Sequence, residues 1–416
     1  MKLLQRLNTP FNRNIFYNSA GSFTYIFFQY LLSVVILRVK GAEDAGVYSL
    51  AYTFTNIFTT IAGFGMGAYQ ISDVRGRHTD GTYIAARICT SIAALFCFAV
   101  ALYFADFSRS TLLCCFALML YRLLEGFAGV YLCVLQKFDD YKTIGISYFA
   151  KGVFPFLIFC IALYFFELPQ AVFAMSFSFL AVFVFFDFKR VTSRPDFTSK
   201  PVMRDIIRVI LPSFVLVLNS LTYFGMTFYT RYVIEKIYSI EELGYFSSVT
   251  LIMFVLPFLT GPALNVFIPG LSGLYADKRY YEIKRMTFRM GLCVIGVTAV
   301  LCASSLVWGR FALSLVFGEK ILRYSYLLIP TLLASGFLLG VGVLGAILTA
   351  MQKRVESLIA GVAATLTAIL TCPVLVSGFY MGGSIYSLVA AFTVQGFVLL
   401  GFLLHYLKKP SKLADK

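Results

Sequence analysis

Twelve long apolar stretches, separated by short gaps that hold nearly all of the charge, run through this 416-residue chain. A segment needs about 20 mostly apolar residues to cross the hydrocarbon of a bilayer as a helix. The stretches at 14–37, 44–69, 84–105, 110–134, 143–166, 170–187, 209–234, 244–268, 287–308, 324–350, 356–380 and 384–406 have about that length. They are too long and too continuously apolar for barrel strands, which leaves helix as the expected state. Hydrophobic residues make up 59% of the chain and charged residues 13%, a balance that excludes an ordinary water-soluble domain. The expected fold class is therefore all-α: a polytopic membrane protein with twelve transmembrane helices.

The cations orient these spans. With the N-terminus in the cytoplasm, 25 of the 35 lysines and arginines fall in cytoplasmic segments and 8 in outer ones. This is the positive-inside bias, and an even number of spans puts both termini on the cytoplasmic side. The net charge of +15 has the same origin. Short basic loops facing anionic lipid account for it without a nucleic-acid partner. The apolar run after the charged lead 1–14 is too long for a signal-peptide core and reads as an uncleaved first span.

All nine cysteines lie within spans, where free thiols behave as small apolar residues. No CxxC or Cys/His cluster is present, so neither disulfides nor a metal site is expected, and no cofactor motif is found.

The longest polar gap, Lys189–Arg208, carries Pro195 and Pro201 and splits the spans into two sixes. The halves resemble each other. Glu43-Asp44-Ala45-Gly46-Val47-Tyr48-Ser49 opens span two, and Glu241-Glu242-Leu243-Gly244-Tyr245-Phe246-Ser247 opens span eight. Leu132 to Lys137 ends span four, and Leu348 to Lys353 ends span ten. The reading is a six-helix bundle at 1–187, a cytoplasmic linker at 188–208 and a second six-helix bundle with its tail at 209–416. A six-span repeat inserts twice with the same orientation, which relates the halves by a pseudo-two-fold axis along the membrane normal. Transporters built in this way bind substrate near the midplane and alternate access around it.

Glu43 to Ser49, the Gly63-Phe64-Gly65-Met66-Gly67 end of span two, Leu315-Val316-Phe317-Gly318-Glu319 before span ten and Gln352-Lys353 after it together carry a resemblance. The chain resembles the polysaccharide repeat-unit flippases of the multidrug/oligosaccharidyl-lipid/polysaccharide exporter superfamily, over essentially its whole length. The lipid II flippases of that superfamily usually carry fourteen spans, and twelve favours the polysaccharide branch. The resemblance implies two six-helix bundles forming a V in a bacterial inner membrane. It implies an undecaprenyl-diphosphate-linked oligosaccharide moved from the cytoplasmic to the outer leaflet for O-antigen or another surface polysaccharide. Its implied partners are that substrate, membrane lipids and the polysaccharide polymerase machinery.

A diphosphate head needs a wet, cationic path, because an unpaired charge in hydrocarbon is costly. Arg122 lies about 18 Å below the outer end of span four, and Lys151 roughly 12 Å inside span five. Arg87 sits near the inner end of span three. These three are the candidate diphosphate and cavity residues. Glu125 follows Arg122 on the same helix face. That pair is either an internal ion pair that fixes packing or a cavity cation released to an anion, and both readings stay open. Lys151 has no acid in its own span. Glu125 stands as the only acid deep in a span and as the candidate for coupling to protons or sodium. Asn18 and Asn219, in the first helix of each half, and Tyr25 and Tyr223 are candidate sugar contacts; Gln29 and Gln395 share their ambiguity between sugar and helix packing.

Prolines cluster in or just after span eight (Pro257, Pro262, Pro269), which makes it the first choice for a bending helix. Gly340-Val341-Gly342-Val343-Leu344-Gly345 matches GxGxxG, but it lies inside an apolar span, where close helix packing explains it better, and Gly336 and Gly340 also make GxxxG. Trp308 and Gly309–Arg323 are expected along the outer interface. The alternative function is a cation-coupled small-molecule exporter of the same superfamily, which predicts several acids in spans. An enzyme is not expected, since the longest gap is about twenty residues, cytoplasmic and without histidine.

Overall fold

The computed structural model describes residues 10–73, 77–195, 197–198, 200–254, 256–257, 260 and 270–408. The described residues contain helices and no strands. The chain divides into two compact units, Met1–Val217 and Leu218–Lys416. Among the described residues nine helices are long and apolar enough to cross a membrane, or ten if Met203–Ile210 and Phe214–Ile237 form one broken span. The difference from twelve is local. Expected span two is helical but carries Glu43, Asp44, Asn56 and four threonines. Span eight, with Pro262 and Pro269 and the bend expected there, falls partly outside the described residues.

In the first unit, α1 (Pro10–Val39), α2 (Ala42–Gly63), α3 (Met66–Ser72), α4 (Asp80–Phe104), α5 (Arg109–Lys137) and α6 (Tyr141–Phe165) precede α7 (Leu168–Thr192). Polar side chains begin several of them: Thr79, Ser108 and Asp140 accept from the amides of Thr82, Thr111 and Thr143, satisfying donors that a helix start leaves open. Small residues then bring backbones together, as membrane helices require. A Cβ on Gly145 would collide with the carbonyl of Tyr17, and one on Gly21 with the carbonyl of Gly145. Two turns further, a Cβ on Gly152 would sit 3.0 Å from the Cα of Tyr25. α1 and α6 thus lie in direct backbone contact.

Expected span two is broken. Phe64 and Gly65 both take left-handed backbone angles, with φ of 46° and 63°, separating α2 from α3. The break frees the Ala62 carbonyl, which accepts from Arg87 Nη1 at 2.7 Å and Thr90 Oγ1 at 2.8 Å. Such a break at membrane depth is tolerated only when neighbours re-satisfy the backbone.

α7 carries a π-helical segment, Phe183–Phe188. The wider turn shifts the phase of the side chains that follow, and Asp187 within it is fully buried.

The segment read as a linker is bound to the first unit. The Lys200 carbonyl accepts from Thr79 Oγ1 at 2.8 Å, the Thr198 carbonyl from the Gly81 amide at 2.8 Å, and the Val202 amide donates to Thr82 Oγ1 at 2.9 Å. Arg194 pairs with Asp140 and lies over the Phe138 ring. His78 faces Asp205 at 3.4 Å. Beside them Asp73 accepts from the amides of Arg77 and His78 at 2.9 and 3.0 Å and from the Tyr83 hydroxyl at 3.0 Å. Burial pushes the Asp73 carboxyl up, but these donors and the Lys137 ammonium outweigh it and hold the group below the usual carboxylate range.

The second unit holds most of α8 (Phe214–Ile237), followed by α9 (Ile240–Thr250), α10 (Tyr280–Phe317), α11 (Leu328–Ala350), α12 (Arg354–Phe379) and α13 (Gly382–Lys408). α8 and α12 approach at Gly361, where a Cβ would come within 2.5 Å of Thr222 Oγ1. α10 and α11 approach at Gly336, where a Cβ would collide with Thr298. Expected interface segment Gly309–Arg323 is instead mostly helix: α10 continues through Trp308 to Phe317 before a 3-10 stretch at Glu319–Leu327. No residue breaks that helix before Gly318, whose φ of 91° ends it.

Two outcomes follow. Gly145→Ala should lower the thermal midpoint of the purified protein, overpacking typically costing about 1–3 kcal/mol, whereas Gly225→Ala, whose Cβ meets nothing within 4 Å, should not. The folded Asp73 carboxyl lies below its unfolded value, so its stabilisation is complete above about pH 4 and is lost as pH falls through the native value. Melting against pH should show this acid-side loss weakened in Asp73→Asn.

Candidate functional site

A polar network lies inside the first unit where α1, α2 and α5 meet. Arg122 and Glu125 are one turn apart on α5, and Arg122 Nη1 donates to Glu125 Oε2 at 2.5 Å. The guanidinium lies over the Tyr52 ring of α2, 4.5 Å from its centroid, a cation–π contact that replaces part of the lost hydration. Glu125 Oε1 accepts from the Tyr25 hydroxyl of α1 at 2.7 Å. The Tyr25 and Tyr121 hydroxyls are 3.3 Å apart, and Gln29 Nε2 donates to Tyr121 at 2.5 Å. Tyr121 is 1% exposed and the Arg122 side chain 14%, but the Glu125 side chain is 28% exposed, so the network opens on its carboxylate side. Arg122 Nε is buried and has no hydrogen-bond partner among the described residues. A buried donor of a cation left unsatisfied is costly, and an anion placed there would relieve it.

Lys151 belongs to a different arrangement. Its ammonium on α6 is 2% exposed and ion-paired with the fully buried Asp187 of α7, and it lies 5.3 Å from the Phe179 ring centroid. The expectation of an unmatched cation lining a vestibule with Arg122 is corrected on this point. Nor is Glu125 the only acid deep in a span, because α7 continues to Thr192 and takes Asp187 inside. The π-helical turn is what rotates Asp187 towards α6. A lone acid in the run Phe183-Val184-Phe185-Phe186-Asp187-Phe188 was the available signal.

Arg87 is also committed. It is 6% exposed and closes the break after α2, a packing role in place of the cavity role expected of it. Asn18 lies two turns before Tyr25 on α1, and its side chain makes no hydrogen bond to another described residue. Asn219 and Tyr223 are on α8 in the other unit. Asn219 Oδ1 packs 3.2 Å from the Cβ position of Gly361, and the Tyr223 ring meets Phe224 edge-on at 5.3 Å. Of the candidate residues, the network therefore brings together Tyr25, Arg122 and Glu125. Gln29 belongs to it too. Tyr52 and Tyr121 were missed, because nothing in the sequence distinguishes them among 26 tyrosines. Among the described residues no group of three acids, histidines or cysteines is placed to hold a metal.

Comparisons with known proteins agree with a transporter fold. The model of a family described as polysaccharide biosynthesis protein matches residues 11–275. A curated relative, the capsular polysaccharide biosynthesis protein CapF of Staphylococcus aureus, is 25% identical over 302 residues, covering 70% of this chain and 74% of its own. Among solved structures, a multidrug resistance MATE family transporter of the MOP superfamily in its inward-facing conformation aligns with a TM-score of 0.72 at 13% identity, covering 92% of this chain and 96% of its own. The lipid II flippase MurJ, inward closed, aligns with a TM-score of 0.67 at 12% identity, covering 95% and 89%. These likenesses show a shared fold, and the match over most of the sequence shows the family. The chain is a multi-pass membrane protein that belongs to the polysaccharide biosynthesis protein family and shares its fold with those transporters.

Proposed function

We propose that this protein translocates undecaprenyl-diphosphate-linked oligosaccharide repeat units from the cytoplasmic to the outer leaflet of a bacterial inner membrane, through alternating access in a twelve-span chain with both termini cytoplasmic. The observation that carries the proposal is Arg122: a cation at membrane depth, held by Glu125 and Tyr52, with one N–H unpaired. Intramembrane charges of this kind mark substrate paths. The diphosphate would exchange with Glu125 as the partner of Arg122. Gln29, partly exposed on α1, offers an amide at the same depth for the first sugar, and Tyr25 and Tyr121 hold it and Glu125 in place. The family match and the CapF relative support a part in polysaccharide biosynthesis, and the likeness to the lipid II flippase MurJ supports a lipid-linked cargo.

The alternative, a cation-coupled exporter, needs carboxylates that are free to cycle. Glu125 is engaged by Arg122 and Tyr25, and Asp187 is sealed against Lys151. Both arrangements favour exchange between anions at Arg122.

Translocation is measured in vesicles loaded with the lipid-linked repeat. Removing one partner of a buried charge pair costs about 2–5 kcal/mol, so Arg122→Ala should slow translocation about tenfold or more. Unchanged transport in that variant would remove the assignment. Lys151→Ala should lower stability, with a penalty of about 3–5 kcal/mol for the stranded carboxylate. The double variant Lys151→Leu with Asp187→Leu should regain the thermal midpoint and keep translocation, as a packing pair requires. A double variant that folds but fails to transport would place the pair in the substrate path instead.

A further inference from the structure

The second unit contains an apolar slot that the polar network does not use. Its volume is about 780 Å³, and it lies between α10, α11 and α13, lined on α10 by residues from Thr287 to Cys302. That stretch extends about 22 Å along the helix, well over half of the roughly 30 Å hydrocarbon thickness. The slot is open at its rim, where Ile295 is 66% and Phe397 70% exposed. Only 6% of the most apolar window of α10 is buried inside the protein, so the wall that α10 forms faces lipid.

Glycines make the slot wide. A Cβ on Gly291 or Gly340 would meet no heavy atom within 4 Å, and one on Gly396 only Val341 Cγ2 at 4.0 Å. The GxxxG pair is thus divided in purpose: Gly336 lets α10 and α11 touch through Thr298, while Gly340 leaves room beside that contact. The GxGxxG run is accounted for in part by the same space.

Charge sits at one end. Lys284, Arg285 and Arg289 lie on α10 within about one turn of Thr287 and Phe288, where the slot begins, and all three are exposed. Their spacing puts Arg285, Phe288, Arg289 and Leu292 along one edge of the helix. None of the three cations pairs with a carboxylate among the described residues. An apolar slot with unpaired cations at its mouth complements an amphiphile with an anionic head and an apolar chain.

We propose that the slot holds the tail of a polyprenyl phosphate carrier, with the phosphate at Lys284, Arg285 and Arg289 and the proximal isoprene units between α10, α11 and α13. This rests on the reading of the cargo given above. A single slot suits a single-chain lipid, whereas a phospholipid would leave its second chain outside. The positions where glycine withholds a side chain give width for a methyl-branched chain. A cavity of this size encloses a drug-sized length, so it grips the first part of a long tail and leaves the remainder in the bilayer.

The test uses undecaprenyl phosphate, which carries no sugar, doped into bilayers of phosphatidylethanolamine and phosphatidylglycerol holding the full-length protein. Native mass spectrometry then counts the lipids retained on release. The wild type should retain undecaprenyl phosphate in preference to phosphatidylglycerol. Gly340→Leu and Gly291→Leu fill the slot without a backbone clash and should each reduce retention about tenfold. Arg285→Ala with Arg289→Ala, on an exposed face, should reduce it severalfold without loss of fold. Gly345→Leu, which has space around it but does not line the slot, should behave as the wild type. Equal retention of phosphatidylglycerol would show a site for bulk lipid and overturn the proposal. So would wild-type retention by Gly340→Leu. Retention is read separately from the vesicle translocation assay, so a wild type that translocates without selective retention refutes the slot alone, and one that retains selectively without translocating refutes the reading of the cargo.

Discussion

Within hydrocarbon a charge must find its partner inside the protein, and the first unit is organised by that demand. Lys151 on α6 and Asp187 on α7 satisfy each other where neither meets solvent. The pair fixes the rotation of α7, which needs a π-helical turn to deliver its carboxylate. Arg122 meets the same demand within one helix through Glu125, then recruits Tyr52 from α2, while Glu125 recruits Tyr25 from α1. Arg87 meets it with a backbone carbonyl in place of a carboxylate, and in doing so permits the break between α2 and α3. Three arginine or lysine side chains thereby set the positions of six helices. They differ in how completely they are sealed from solvent. The Lys151 pair is closed, with side chains 2% and 0% exposed. The Arg122 pair keeps a carboxylate side chain that is 28% exposed, and that access separates a packing element from a place where an anion can bind.

Much of this was legible in the sequence. The helical class, the membrane setting and the Arg122–Glu125 pair follow from hydropathy and from i,i+3 spacing, both of which are local. The Lys151–Asp187 pair was not legible, because it depends on two boundaries and a phase change. A span that stops at 187 puts the acid at the interface, and only the continuation of the helix to Thr192 takes it inside. Arg87 was visible as a cation at a span end. Its acceptor, the Ala62 carbonyl, exists only because Phe64 and Gly65 turn left-handed, and no side-chain pattern announces a freed backbone group. Tyr52 and Tyr121 illustrate a further limit. In a chain so rich in aromatics, the ones with a polar task are distinguished by their neighbours across helices, which the sequence does not list.

The two units meet the bilayer with different chemistry. Ionisable groups at depth are concentrated in the first, at Arg122, Glu125, Lys151 and Asp187. The second offers small residues, threonines and branched apolar side chains, with glycine used in two ways: to let helices touch at Gly336, Gly361 and Gly383, and to leave space at Gly291 and Gly340. A cargo with a charged head and an apolar tail suits a protein whose chemistry is divided along those lines.

The unbroken α10 gives this division a physical dependence on the membrane itself. Arg289 and Arg310, both exposed on that helix, are 21 residues and about 32 Å apart, close to the roughly 30 Å of hydrocarbon they bracket. At 38 residues the helix overshoots that layer at both ends, and in a thinner bilayer such a mismatch is met by tilt. Since α10 is one wall of the slot and α11 and α13 are the others, tilting it changes how far apart those walls stand. A bilayer thin enough to tilt α10 would therefore also change the width of the slot, which ties its geometry to the acyl-chain length of the surrounding lipid.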